Sequence, residues 1–289
     1  MSAAATRAAL GGAFILFAES AVLADVTAIS TWTTPICWWG YLFVLDALIE
    51  ARTGRTLFGA RPGRFIAWTG LSVVFWLIFE AYNLRLRNWE YVGLPADPVV
   101  RALGYVASFA TILPGIFLTS AALATFGAFE RSVCRPWRLT RRGLVGSMVA
   151  GAVCLILPPL LPEGVGRYLF APVWVGFVLL LEPLNRWLRG PSILRDLERG
   201  APGRALRLLA AGYLCGFLWE FWNYWAAAKW IYHVPFLASW RIFEMPIAGF
   251  LGFGPFALEY HALYGTVAGV WRLARGRRTD EGDPSPISL

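Results

Sequence analysis

Eight acidic side chains fall inside long apolar runs or at their edges: Glu19, Asp25, Asp46, Glu80, Glu182, Glu220, Glu244 and Glu259. An ionisable group costs free energy wherever water is scarce, so such residues are kept for pairing or for chemistry. Two of them share a pattern, Glu80-x-x-Asn83 and Glu220-x-x-Asn223. Spacing of i, i+3 puts carboxyl and amide on one helix face. A carboxylic acid that keeps its proton in apolar surroundings is a general acid, and a neighbouring Asn can orient it or hold a substrate oxygen. The same pair can instead lock helices together through interhelical hydrogen bonds, worth about 0.6–2 kcal/mol each.

Around Glu220 the aromatics crowd, with Trp219, Phe221, Trp222, Tyr224, Trp225, Trp230 and Tyr232 inside positions 219–232. Aromatic faces around an acid suit a cationic intermediate, while a belt of rings at a membrane interface accounts for some of them as well. The acids expected to transfer protons are Glu220 and Glu244, with Glu80 contributed from earlier in the chain. The expected substrate contacts are Asn223, Asn83, Trp219, Trp222, Trp230, Tyr232 and Glu259. Glu244 and Glu259 would lie about 22 Å apart on a straight helix. One site holds both only for an elongated ligand or with a helix broken near Pro246 or Pro255. Asp46 and Glu182, beside arginines, read as interfacial ion pairs, His233 as a solvated loop residue and His261 as a packed core histidine.

These residues need a frame, and the composition says which. Apolar residues make up 57% of the 289 positions and Asp, Glu, Lys and Arg only 15%, against roughly 45–50% and 25% in soluble domains. With a mean hydropathy of +0.55, this excludes a soluble globular enzyme and a disordered chain. The net charge of +8 comes from arginines and the single Lys229. The arginines cluster between apolar runs, where they encode membrane orientation, so no nucleic-acid partner is expected. Four scattered cysteines without a CxxC and two histidines argue against a disulfide framework and a multi-His metal site.

A bilayer core needs about 20 apolar residues per helix. Eight segments qualify, at about 8–29, 35–50, 65–84, 102–129, 143–161, 168–185, 208–228 and 242–271. With the N-terminus in the cytoplasm, twenty of the 26 cations fall in inner segments and six in outer ones, which fits the positive-inside rule. The expectation is an all-α polytopic protein of the cytoplasmic (inner) membrane with eight transmembrane helices and both termini cytoplasmic. Arg7, the apolar stretch after it and Val22-Leu23-Ala24 also resemble a signal peptide, whose removal would leave seven helices.

The chain also repeats itself. Trp38-x-Gly40-Tyr41-x4-Asp46-x-Leu48 recurs as Trp174-x-Gly176-Phe177-x4-Glu182-x-Leu184. The Glu-x-x-Asn pair recurs, Trp89-x-Tyr91 recurs as Trp230-x-Tyr232, and Phe109 and Pro114 recur as Phe250 and Pro255. This order predicts two tandem four-helix units, residues 1–130 and 143–272, joined by an Arg-rich cytoplasmic linker over 131–142 and followed by a disordered tail over 273–289. Parallel repeats place a site between the halves. Glu244 and Glu259 match Gly104 and Leu118 in the first unit, so the second half is expected to be the active one.

Glu220-x-x-Asn223, Trp230-x-Tyr232, Phe243-Glu244-Met245-Pro246 and Gly252-Phe253-Gly254-Pro255-Phe256-x-x-Glu259 follow one another across a helix, an outer loop and a helix. This order resembles the membrane-integral carotenoid cyclases of the lycopene cyclase type. In those, an acid late in one helix precedes a Trp-x-aromatic loop, an acid-plus-proline entry and a helix bearing Pro and Glu. The resemblance covers the forty residues 220–259, with a degenerate copy over 80–118. One acid precedes the proline here, where the cyclases have proline before two adjacent acids. The resemblance implies two related halves, protonation of an isoprenoid double bond and ring closure, with no metal and no consumed cofactor. Membrane terpene cyclases and carotenoid hydratases fit similarly.

The expected function is therefore an integral membrane enzyme using carboxylic acid/base chemistry on an isoprenoid or other membrane lipid. The alternative is a transporter or lipid-binding protein with a carboxylate-lined site between the repeats, for which Pro114 and Pro255, each beside a glycine, are the hint. No P-loop, GxSxG, HExxH or dinucleotide motif decides between them.

Overall fold

The apolar runs form helices. The computed structural model describes residues 2–60, 62–233, 237 and 239–275 and is 74% helical. In chain order come α1 (Ala3–Leu23), α2 (Thr27–Ser30), α3 (Thr33–Thr53), α4 (Leu57–Ala60), α5 (Pro62–Leu86), β1 (Trp89–Val92), α6 (Pro98–Phe109) and α7 (Ile112–Thr125). Then follow α8 (Arg141–Leu160), α9 (Glu163–Gly166), α10 (Phe170–Trp187), α11 (Ile193–Glu198), α12 (Gly203–Trp225), β2 (Lys229–Tyr232), β3 (Arg241–Ile242), β4 (Met245–Pro246) and α13 (Ile247–Ala274).

By length and composition α1, α5, α8 and the pair α6–α7 can cross a membrane. Only 17–22% of the apolar windows of α1, α5 and α8 is buried, against 78% for α6–α7. Large apolar side chains such as Leu16, Ile66, Val74 and Ile156 consequently face outward, as lipid contact requires and water does not allow over so wide a surface. The protein is membrane-associated. The other long helices, α3, α10, α12 and α13, each hold one buried acid: Asp46, Glu182, Glu220 and Glu259.

Local chemistry sets the boundaries. Asp97 accepts hydrogen bonds from the Val99 and Val100 amides and Pro98 takes the first helical position, so α6 starts there. Gly54, at φ +70°, ends α3. Between α6 and α7 the ladder is opened by Ser72 of α5, whose hydroxyl donates to the Phe109 carbonyl and accepts from the Leu113 amide. A side chain inserted between those two groups, just before Pro114, breaks the helix.

The run expected as a helix from 242 is not one at its start. Residues 241–246 form the antiparallel pair β3–β4, with Phe243 at φ +57° and Pro246 extended before the first turn of α13. From there α13 passes Pro255 without a break. It continues to Ala274, past the expected edge at 272, and the expected tail lies outside the described residues from 276 onward.

Close helix pairs rest on glycine. A Cβ on Gly11 of α1 would lie 2.5 Å from the Gly40 carbonyl oxygen of α3, and one on Gly151 of α8 would lie 2.7 Å from the Gly176 carbonyl oxygen of α10. Each contact lets two backbones approach. At one end of the helices, Asp46 accepts from the Thr56 hydroxyl and the Leu57 amide, and Glu182 accepts from the Ser192 hydroxyl and the Leu194 amide. Asp46 also pairs with Arg7, as expected. Glu182 faces His261 at 3.5 Å instead of an arginine. At the other end β1 and β2 pair antiparallel, Trp89 opposite Tyr232 and Tyr91 opposite Trp230.

Candidate functional site

The strand pair closes one end of a cavity of about 300 Å³, at the lower end of the range for small-molecule sites. Its wall comes from both halves of the chain. Among the described residues, sixteen of the thirty-four that line it are aromatic, seven of them tryptophan, and none is a carboxylate. Period-two alternation puts Trp89 and Tyr91 on one face of β1 and Trp230 and Tyr232 on one face of β2, and all four line the cavity.

Behind these rings stand the two repeated acids. Glu80 Oε1 accepts from Trp76 Nε1 at 2.7 Å, Trp89 Nε1 at 3.1 Å and the Tyr91 hydroxyl at 2.5 Å. Glu220, fully buried, accepts on Oε1 from the Tyr232 hydroxyl at 2.9 Å. That hydroxyl accepts from Trp230 Nε1 at 2.7 Å. Glu220 Oε2 is buried and has no hydrogen-bond partner among the described residues. Burial pushes the Tyr91 and Tyr232 hydroxyls well above the usual tyrosine range, and the Glu80 and Glu220 carboxylates beside them add to it. These phenols therefore stay protonated and connect each acid to the cavity.

Of the expected site residues, Trp219, Trp230 and Tyr232 line the wall, and Glu80 and Glu220 sit one hydrogen bond behind it. Asn83 and Asn223 do not reach it. Asn83 Oδ1 accepts from the Asn88 and Trp89 amides while its Nδ2 donates to the Trp89 carbonyl. Asn223 treats both backbone groups of Trp230 in the same way. Both asparagines are therefore strand anchors, since a short strand needs its backbone groups paired. Trp222 lies behind Trp38, its indole donating to Glu19 at 3.0 Å. Glu244 accepts from Lys229 Nζ at 2.6 Å, an ion pair at the mouth. Glu259 is fully buried away from the wall, with neither oxygen hydrogen-bonded among the described residues. His233 pairs with Glu90 at 3.0 Å on the surface, and His261 is fully buried.

Sequence reasoning missed the first half's share of the wall: Trp76, Trp89, Tyr91, and further Trp32 and Trp38. Trp76 stands four residues before Glu80, a visible helical spacing, and Trp89-x-Tyr91 was already visible as a repeated motif. Asn88 and Arg167 carried no such signal. Among the described residues no group of three His, Cys, Asp or Glu is placed to hold a metal ion. Comparison with known proteins finds no matching family, no matching characterised protein and no matching solved structure.

Proposed function

We propose that the protein is an integral membrane enzyme that protonates a double bond of an isoprenoid or related lipid, leading to ring closure or hydration. The observation that carries this reading is the pair of Glu–Tyr hydrogen bonds ending in an aromatic cavity without carboxylates in its wall. Glu220 supplies the proton through Tyr232: with its proton on Oε1 the carboxyl group donates to the Tyr232 oxygen, and the phenol O–H, turned from the acid to the cavity, gives its own proton to the alkene carbon as it takes that of Glu220. Trp38, Trp219 and Trp230 present π-faces to the cation. A proton then leaves a neighbouring carbon through Tyr91 to Glu80, so that cyclisation is a net isomerisation. In hydration, water adds to the cation instead, and the proton that leaves through Tyr91 to Glu80 comes from that water.

The enzyme is placed in the cytoplasmic membrane with eight spans and both termini inside, on the strength of the alternating arginines. The two halves are read as tandem repeats. Supporting this are the matched glycine contacts, the matched Asp46 and Glu182 anchors, the matched asparagines and the pairing of β1 with β2. The likeness to the lycopene cyclase type rests on the same Glu, Trp-x-Tyr and Pro…Glu positions. Transport or lipid binding is the second reading, favoured by the break between α6 and α7.

The test is comparative lipid profiling by mass spectrometry in a bacterial host that makes isoprenoids. A product isomeric with, or hydrated from, an isoprenoid that forms with wild type and not with a folded Glu220→Gln variant supports the enzyme. Identical profiles with both proteins folded and precursors present shift the conclusion to transport or binding.

A further inference from the structure

The cavity mouth has a charge pattern that protonation of a hydrocarbon does not use. Arg101, Arg167 and Lys229 line it. Lys229 is taken by Glu244, while Glu90 of β1 and Glu163, four residues before Arg167, are paired with His233 and Arg87. The Arg101 amide donates to the Asp97 carbonyl, but its side chain has neither hydrogen bond nor ion pair among the described residues. Arg167 spends Nη2 on the His233 carbonyl, while its Nε is buried and has no partner among the described residues. Beside it, Asn88 is 2% exposed and donates to the Arg167 carbonyl, but its Oδ1 has no partner among the described residues. Two guanidiniums without carboxylates, and an amide oxygen without a donor, mark a place for a group that both accepts and donates. Orphaned buried polar atoms of this kind destabilise the fold unless a ligand satisfies them.

We propose that this mouth is a headgroup site and that the lipid in the cavity carries a terminal phosphate monoester. Its anionic oxygens face Arg101 and Arg167, which bind phosphate through forked, charge-assisted hydrogen bonds. A phosphate hydroxyl, present in the monoanion, donates to Asn88 Oδ1. The chain then runs inward over the tryptophans toward Tyr91 and Tyr232. This rests on the proposed isoprenoid cavity and adds what anchors one end of the substrate, so that the reacting double bond is chosen by its distance from the head.

The test is a titration of the full-length protein in neutral detergent micelles, read as quenching of tryptophan fluorescence. The probes are farnesyl monophosphate, farnesol and inorganic phosphate. Farnesyl monophosphate is expected to saturate at a concentration about tenfold or more below farnesol. Arg101→Gln, on a side chain without a structural partner, and Asn88→Asp are each expected to weaken the monophosphate about tenfold and leave farnesol unchanged. Equal binding of the two farnesyl probes, or equal weakening of both by the variants, overturns the headgroup site and leaves the isoprenoid cavity standing. Failure of both farnesyl probes to bind overturns the isoprenoid cavity itself. Inorganic phosphate binding as tightly as farnesyl monophosphate overturns the lipid assignment in favour of a free-anion site.

Discussion

Glu80 and Glu220 sit at matching places near the ends of α5 and α12, each followed by an asparagine that ties down the next strand, yet their carboxyl groups are used differently. One oxygen of Glu80 already accepts three donors, whereas Glu220 accepts one and leaves Oε2 bare. A carboxylic acid must place its own O–H somewhere. On the proposed mechanism Glu220, with a single partner, can turn its own O–H onto the Tyr232 oxygen, and Glu80, with three donors on one oxygen, is furnished to receive a proton. The lesson is that a repeated motif supplied two similar acids, and the rings around them divided the work. On the proposed mechanism Glu80 is the first half's contribution to proton transfer, as the sequence also led one to expect.

The comparison breaks most visibly at the acids themselves. Glu220→Gln keeps an acceptor for Tyr232 but removes the proton, so product formation in membrane extracts should fall about 10²- to 10⁴-fold, with helicity unchanged by circular dichroism. Glu80→Gln should cost less than this if its part is to receive the proton, because water can replace a base more readily than a buried acid. Equal losses would erase the division of labour. The next effect separates the phenols. Tyr232→Phe removes the hydroxyl that donates to Glu220 Oε1 and the step to the cavity, whereas Tyr91→Phe leaves Glu80 with two indole donors. Tyr232→Phe should slow turnover about tenfold or more, and Tyr91→Phe by less, given about 1.5–3 kcal/mol for a hydrogen bond to a charged group.

At the asparagines the two halves should behave alike. Asn83→Ala and Asn223→Ala each leave backbone groups of a strand unpaired, at about 1–3 kcal/mol. Thermal unfolding in detergent should drop by similar amounts for both, and a drop in only one would mean that β1 and β2 are not equivalent partners.

Why the helices were legible and the site less so follows from range. An apolar run of about 20 residues declares a helix by itself, and the apolar runs are largely helical, four of the segments being long and apolar enough to cross a membrane. Pro246 showed how composition misleads at an edge: Ile242 and Phe243 are apolar, but a proline that holds an extended backbone keeps them in β3 and its turn. The Glu-x-x-Asn spacing was visible, but the amide's target was not. Asn223 serves Trp230, seven residues on and past the helix end, where helical spacing has no meaning. Least legible was β1 against β2, since four-residue strands far apart in sequence carry no signal of their partner.

The smallest effect concerns the one histidine beside the strands. His233 meets Glu90 with side chains 45% and 59% exposed, so water screens the pair and its worth is about 0–1 kcal/mol. The strands are held by their own backbone ladder and by Asn83 and Asn223. His233→Ala should therefore leave the unfolding temperature and turnover nearly unchanged. A large loss of turnover in a stable His233→Ala protein would show that a base outside the two carboxyl networks takes the proton. Glu80 would then be the helix-locking acid that its spacing also allowed, and the asymmetry between the two halves would lie in the loop after β2.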